Sequence, residues 1–138
     1  MKKFIRIASG QGYWGDRFDA PVDQVKEGPI DYLVMDYLAE VTMSIMQKQK
    51  SRDPHLGYAT DFIPLMETLL PLLVEKKVTL ITNAGGVNPV GCMLAVREIA
   101  ERQGLSGVKI AAVYGDDIIN QLDTLIASGN DLKNMEIY

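Results

Sequence analysis

Short apolar runs alternate with amphipathic segments along most of this chain. Four runs rich in aliphatic and β-branched residues, at positions 4–8, 32–35, 78–82 and 109–113, are each flanked by turn-forming residues. They are apolar without interruption, which is typical of strands buried on both faces. The pattern therefore predicts four parallel strands in the interior of the protein.

Helical spacing of apolar residues predicts the elements between these strands. The predicted helices begin near Pro21, after Asp36, at Asp61, at Pro89 and after Asp117. The fourth helix has the clearest boundaries, because Asn88 is suited to its N-cap, Pro89 to its first position and Gly104 to its end. Pro71 lies inside the helix that Asp61 opens, and we expect it to kink that helix.

The order strand, helix, strand, helix indicates parallel pairing with right-handed crossovers. We therefore predict one α/β domain over residues 1–138, a three-layer sandwich with a parallel, Rossmann- or flavodoxin-like sheet of about four strands. The last residues, Met135-Glu136-Ile137-Tyr138, have the composition of the start of a fifth strand. We expect the sheet to be incomplete at the C-terminus of this chain.

Composition and charge exclude several classes of protein. The chain has 138 residues, 47% of them apolar, and a net charge of −4 with scattered basic residues, which argues against nucleic-acid binding. No apolar run approaches the roughly 20 residues of a membrane span, and the N-terminal run is too short for a signal peptide. One cysteine and one histidine exclude an ordinary zinc site. We expect a cytoplasmic protein with a small-molecule ligand and no membrane partner.

Ligands of open parallel sheets bind at the carboxyl ends of the strands, and the first such loop is rich in glycine. Gly10, Gly12 and Gly15 form a G-x-G-x-x-G pattern, and Asp36 follows about 20 residues later, as in dinucleotide-binding proteins. The pattern should open a helix, yet Pro21 would interrupt that helix. Two interpretations remain, an NAD-binding loop and a turn whose glycines adopt positive φ.

Acidic residues follow the second and fourth predicted strands. Asp36 and Glu40, spaced i and i+4, would share one face at the start of a helix. Such a pair can serve general acid–base chemistry or a divalent metal, or Asp36 can cap the helix while Glu40 is solvated. Of Asp116 and Asp117, one is suited to a helix cap and the other to a metal or ribose hydroxyls.

The third loop contains Asn83, Gly85 and Gly86 and runs into Asn88 at the start of a helix. Unsatisfied backbone N–H groups and the positive end of the helix dipole would together favour a phosphate or carboxylate there. No lysine follows the glycines, so the loop is not a P-loop. A turn that simply requires glycine is the alternative.

Five ordered blocks of this sequence resemble the N-terminal region of the acyclic terpene utilisation family. They read IRIASGQGYWGD, DYLVMDYLAEVTM, DPHLGY, TNAGGVNP and VYGDD, and they span nearly the whole chain. The matching residues are Gly10, Gly12, Gly15, Asp16, Asp36, Glu40, Thr82, Asn83, Gly85, Asn88, Pro89, Gly115, Asp116 and Asp117. The resemblance implies a role in bacterial catabolism of citronellol- and geraniol-type terpenes, which proceeds through CoA thioesters. It also implies that this chain corresponds to the front part of a longer protein.

Three hypotheses for function follow. The first is a metabolic enzyme or enzyme domain that binds a phosphorylated ligand such as a CoA thioester, with Gly85 and Gly86 holding phosphate. In that hypothesis the acid–base or metal-binding candidates are Asp36, Glu40 and Asp116. The second is an NAD-binding oxidoreductase domain that uses the first glycine loop. The third is a non-catalytic subunit whose sheet is completed by a partner chain or a second copy.

Overall fold

The computed structural model describes residues 4–131 of the chain. Within that range three strands and five α-helices form a small α/β structure, so the α/β class predicted from the sequence is confirmed. In chain order the elements are β1 (Ile7–Gln11), α1 (Ala20–Glu27), β2 (Tyr32–Met35), α2 (Glu40–Arg52), α3 (Phe62–Lys76), β3 (Thr79–Thr82), α4 (Pro89–Arg102), a 3₁₀ turn (Ile119–Gln121) and α5 (Leu122–Ala127). The fifth strand expected to start at Met135 lies outside the described residues.

The three strands form one open parallel sheet in the order β1-β2-β3, with β2 at its centre. Leu33 of β2 is aligned with Ala8 of β1 and with Leu80 of β3. Because parallel strands all end on the same side, the loops that follow them gather at one edge of the sheet, which we call the carboxyl edge. The predicted site residues that follow β1, β2 and β3 therefore lie at this edge.

Helices cover one face of the sheet. The apolar stripe predicted for α3 is buried, and α3 contacts both α1 and α4. Leu33 and Met35 of β2 are buried on this face, at 0% and 1% exposure. Ile7, Val34 and Ile81 alternate with the buried positions and are exposed. The opposite face is thus open within residues 4–131, where the three-layer prediction expected a second layer of helices.

The fourth strand predicted at residues 109–113 does not form in the described structure. The segment alternates like extended backbone, since Val108, Ile110 and Ala112 are partly buried while Ala111 is exposed. It is apolar enough for a strand, but a strand also needs a neighbour at hydrogen-bonding distance. A cleft separates these residues from β3, so the pairing is absent.

No helix within residues 4–131 combines the length and apolar character that a membrane span requires.

Pro71 lies inside α3, which nevertheless runs unbroken from Phe62 to Lys76. A proline at this position has no N–H to donate to the carbonyl of Glu67, one turn earlier. The side-chain Nε2 of Gln103, just after α4, donates to that carbonyl over 2.8 Å. Arg102 also pairs with the Glu67 carboxylate. The bond that proline removes from α3 is thus replaced by a bond that ties α4 to α3.

We expect Gln103→Leu to lower the free energy of unfolding by about 1–2 kcal/mol, because the Glu67 carbonyl loses its donor. Pro71→Ala supplies a backbone N–H to the same carbonyl. The loss on Gln103→Leu should then be about 1 kcal/mol smaller in the Pro71→Ala background than in the native one. Urea denaturation of the four proteins measures both quantities. An equal loss in the two backgrounds would show that the carbonyl does not couple these residues.

Candidate functional site

A hydrogen-bond network centred on Asn83 joins the ends of β2 and β3. The Oδ1 of Asn83 accepts from the N–H of Tyr37 over 2.8 Å, and its Nδ2 donates to Oδ1 of Asp36 over 2.7 Å. The N–H of Leu38 donates to the same oxygen over 3.1 Å. These hydrogen bonds hold the pKa of Asp36 below its usual range, and the bond from Asn83 has the larger effect, followed by the bond from Leu38. Asp36 is therefore ionised at neutral pH and is better suited to accept a hydrogen bond or bind a cation than to donate a proton.

The shared helix face predicted for Asp36 and Glu40 is wrong. Helix α2 begins at Glu40, with Ala39 at its N-cap, so Asp36 precedes the helix. The i, i+4 rule applies only where both residues are helical. Glu40 is exposed in the first turn of α2, and Asp36 is held by Asn83 instead.

The first glycine loop is closed by its own aspartate. The Oδ2 of Asp16 accepts from the N–H of Gly12 over 3.0 Å, and its Oδ1 accepts from the N–H of Arg17 over 2.7 Å. These bonds hold the pKa of Asp16 below its usual range. The Gly12 N–H, which a cofactor phosphate would need, is therefore already bonded to a carboxylate. Helix α1 begins only at Ala20, well after Gly15, whose φ is +92°. These two features disfavour the NAD hypothesis.

Gly10 lies within β1 and not in the loop. A Cβ at this position would come within 2.9 Å of Cβ of Pro21 and 3.0 Å of Cδ1 of Leu33. The close approach of α1 to β1 thus accounts for this glycine by packing.

Most amides of the third loop donate within the protein. The N–H groups of Gly86, Val87 and Asn88 donate to backbone carbonyls, and that of Ala84 donates to Oγ1 of Thr82. The expected cradle of free N–H groups is therefore wrong for these four residues. A Cβ at Gly85 would lie 2.8 Å from Cα of Pro89, so close packing also accounts for that glycine.

Asn88 caps α4, as the sequence predicts, and its side chain is occupied at both ends. Its Oδ1 accepts from the N–H of Gly91 over 3.1 Å. Its Nδ2 donates to the carbonyls of Pro54 and Leu56 over 3.1 and 2.8 Å. The residue fixes the start of α4 against the 53–57 turn, and a ligand would have to replace one of these bonds.

A cleft of about 960 Å³ opens at the carboxyl edge between α2, the start of α4 and residues 114–119; we call it the first cleft. The predicted site residues that line it are Gly86, Asn88, Gly115, Asp116 and Asp117. Its volume lies within the range of about 300–1,000 Å³ that is usual for small-molecule sites. The first cleft is therefore lined by predicted site residues from both the third and the fourth loops.

Two lysines that sequence reasoning missed also line the first cleft, Lys48 and Lys50 of α2. The Nζ of Lys50 donates to the Val87 carbonyl over 2.7 Å and lies 3.7 Å from Oδ2 of Asp117. In the sequence these lysines are simply cations near a helix C-terminus, and their distance from the glycine loop hides the contact. The third loop thus has a neighbouring cation after all, supplied by another element.

A second cleft, of about 780 Å³, lies between β3, helices α3 and α4, and residues 106–113. Asn83 and Gly85 line it. Gly86, Pro89 and Asp116 line both clefts, so the two adjoin at the carboxyl edge. Of the three catalytic candidates, Asp116 lines both clefts, whereas Asp36 and Glu40 line neither.

The single cysteine is buried in the lining of the second cleft. Burial raises the pKa of the Cys92 thiol to about 12. The thiol is therefore protonated at neutral pH and is a poor nucleophile. Among the described side chains, no three from histidine, cysteine, aspartate or glutamate come together as a metal site.

Comparison with curated proteins and with solved structures gives no significant match. A family model described as "Acyclic terpene utilisation family protein AtuA" matches residues 5–137. The match includes both glycine loops and both clefts. The resemblance found in the five sequence blocks is thereby confirmed, and the chain belongs to the acyclic terpene utilisation family.

Proposed function

We propose that this chain binds a phosphorylated small molecule of the CoA thioester type in the first cleft. The observation that carries the proposal is the position of Lys48 and Lys50 beside the start of α4. Two ammonium groups and the positive end of a helix dipole favour an anionic group at that point. Family membership supports a ligand from acyclic terpene metabolism, and a CoA thioester is the ligand class that the resemblance implies.

The acidic residues of the first cleft fit the remainder of such a ligand. Asp117 faces Lys50 and has its other oxygen bonded to the N–H of Ile119, so its charge is partly compensated. Asp116 lines both clefts and is free of this ion pair. Hydroxyl and amide donors of a CoA thioester could bond to these carboxylates, while its phosphates contact the lysines.

If the chain is catalytic, Asp116 is the strongest acid–base candidate of the three. It lies where the two clefts meet, so it would reach the middle of a ligand that occupies both. Asp36 is constrained by Asn83, and Glu40 is on the exposed start of α2. In this proposal Asp36 and Glu40 have structural or outer roles, whereas Asp116 contacts the reacting group.

We expect Lys50→Met to weaken CoA binding about tenfold or more, because a hydrogen bond to a charged group contributes about 1.5–3 kcal/mol. Isothermal titration calorimetry with CoA, and with NAD in a parallel series, measures the effect. Lys26→Met removes an exposed lysine of α1 outside both clefts and should leave the affinity unchanged.

Lys50 also bonds the Val87 carbonyl, so Lys50→Met changes the packing of the third loop as well as the charge of the cleft. A second variant tests the charge alone. Lys48→Met removes an exposed cation of the same cleft and should also weaken CoA binding. Absence of CoA binding by the native chain, or equal affinities of native, Lys48→Met and Lys50→Met proteins, would overturn the proposal. Binding of NAD but not CoA would favour the dinucleotide hypothesis instead.

A further inference from the structure

The second cleft follows the length of β3. Its lining extends from Lys77 and Val78, before the strand, to Asn83 beyond its end. Four strand residues at about 3.3 Å each give the cleft a length of at least about 13 Å. This length suits an extended chain better than a compact ring.

The interior of the second cleft is mainly aliphatic. Leu70, Leu73 and Val96 line it from the two helices, and each has an exposure of only 5–6%. Leu80 of β3 and Ile110 of the opposite segment also line it and are partly buried. Such surfaces bind hydrocarbon because contact removes apolar area from water.

Polar side chains line both ends of the second cleft: Lys77 lies at the end before β3, and two others lie at the end that meets the first cleft. Asn83 and Asp116 line this end, and Asp116 is shared with the first cleft. Because the two clefts adjoin, a ligand whose polar head lies in the first cleft can extend an apolar chain directly into the second.

We propose that the second cleft binds the hydrocarbon chain of the ligand, an extended acyl group whose thioester lies near Asp116. The position of the polar head rests on the function proposed above, whereas the position of the hydrocarbon chain rests on the lining of the second cleft. Val108, Ile110 and Ala112, on the partly buried side of the 106–113 segment, cover the chain opposite the helices.

The test compares CoA with acetyl-, hexanoyl- and decanoyl-CoA by isothermal titration calorimetry. Each methylene buried contributes about 0.8 kcal/mol, so affinity should rise about fourfold per methylene until the chain fills the second cleft. A matched pair of variants locates the effect. Ala112→Trp fills the second cleft, and Ala127→Trp places the same side chain at an exposed position of α5 that lines neither cleft.

In the expected result the rise with chain length is lost in Ala112→Trp and kept in Ala127→Trp, while both bind CoA like the native chain. If CoA binds and chain length has no effect, or if Ala112→Trp keeps the full rise, the chain site is wrong and the proposed function stands. Decanol, which has no CoA head, separates the remaining cases. Binding of decanol that Ala112→Trp abolishes supports the chain site even where CoA does not bind, and absence of both decanol and acyl-CoA binding overturns it.

Discussion

Gly86→Ala should lower the free energy of unfolding by about 3 kcal/mol, because the added side chain would strain the backbone and overlap neighbouring atoms. The backbone has φ of +52°, which L-residues rarely adopt, and this costs about 1 kcal/mol or more. An added Cβ would lie 2.9 Å from the Gly57 carbonyl oxygen and would overlap the side chain of Met46. Met46 is fully buried at 0% exposure, so its displacement costs about 1–3 kcal/mol further.

A second glycine provides a control in which an added Cβ would strain the backbone without overlapping any neighbour. Gly104, after α4, has φ of +66°, and a Cβ there would have no neighbour within 4 Å. Gly104→Ala should therefore cost only the backbone term of about 1 kcal/mol. Urea denaturation of both variants gives the comparison. If the two substitutions cost the same, the third loop does not pack on α2 as described, and its glycine would require another explanation.

The parts of the fold that could be predicted are those with local signals. The bounds of α4 follow from Asn88, Pro89 and Gly104, whose preferences for a cap, a first turn and a positive φ act over a few residues. The strand at 32–35 was predictable from its apolar run and lies in the middle of the sheet, with Leu33 and Met35 buried under the helices and Val34 exposed on the open face.

The parts that could not be predicted depend on residues distant in sequence. Nothing near Gly85 indicates that Lys50 reaches the same loop from α2. The pattern G-x-G-x-x-G likewise does not reveal that Asp16 bonds the Gly12 amide, since the motif describes spacing and not hydrogen bonding. The run at 109–113 has the composition of a strand, yet pairing depends on where β3 lies.

Of the hydrogen-bonding side chains at the carboxyl edge, Asn83 should give the largest change, because it satisfies two neighbours. Asn83→Leu leaves the part-buried N–H of Tyr37 without its acceptor, and we expect a loss of about 2–3 kcal/mol in the free energy of unfolding at neutral pH. The pKa of Asp36 should also rise toward its usual value, since its first stabilising bond is lost. NMR titration of the Asp36 carboxyl carbon and urea denaturation at several pH values measure the two effects.

The sign of the pH dependence follows from the same bond. In the native chain the folded pKa of Asp36 is below its unfolded value, so the unfolded chain binds more protons as the pH falls. The stability that Asp36 contributes is therefore present above the unfolded pKa and is lost as the pH falls through the folded one. The stability difference between native and Asn83→Leu proteins should shrink over that interval.

Asn83→Asp separates the two roles of this side chain and should invert that dependence. Its carboxylate can still accept from the N–H of Tyr37, but it replaces the donor that lies 2.7 Å from Asp36 with a second negative charge. Two carboxylates at this distance raise the pKa of the pair, so the folded state binds a proton at a pH where the unfolded chain has lost it. The stability of Asn83→Asp relative to the native chain should then fall as the pH rises from about 4 to 7, opposite to the contribution of Asp36 in the native chain. If the stability of the variant relative to the native chain instead rises with pH in this interval, Asn83 does not hold Asp36, and the carboxyl edge needs a different network.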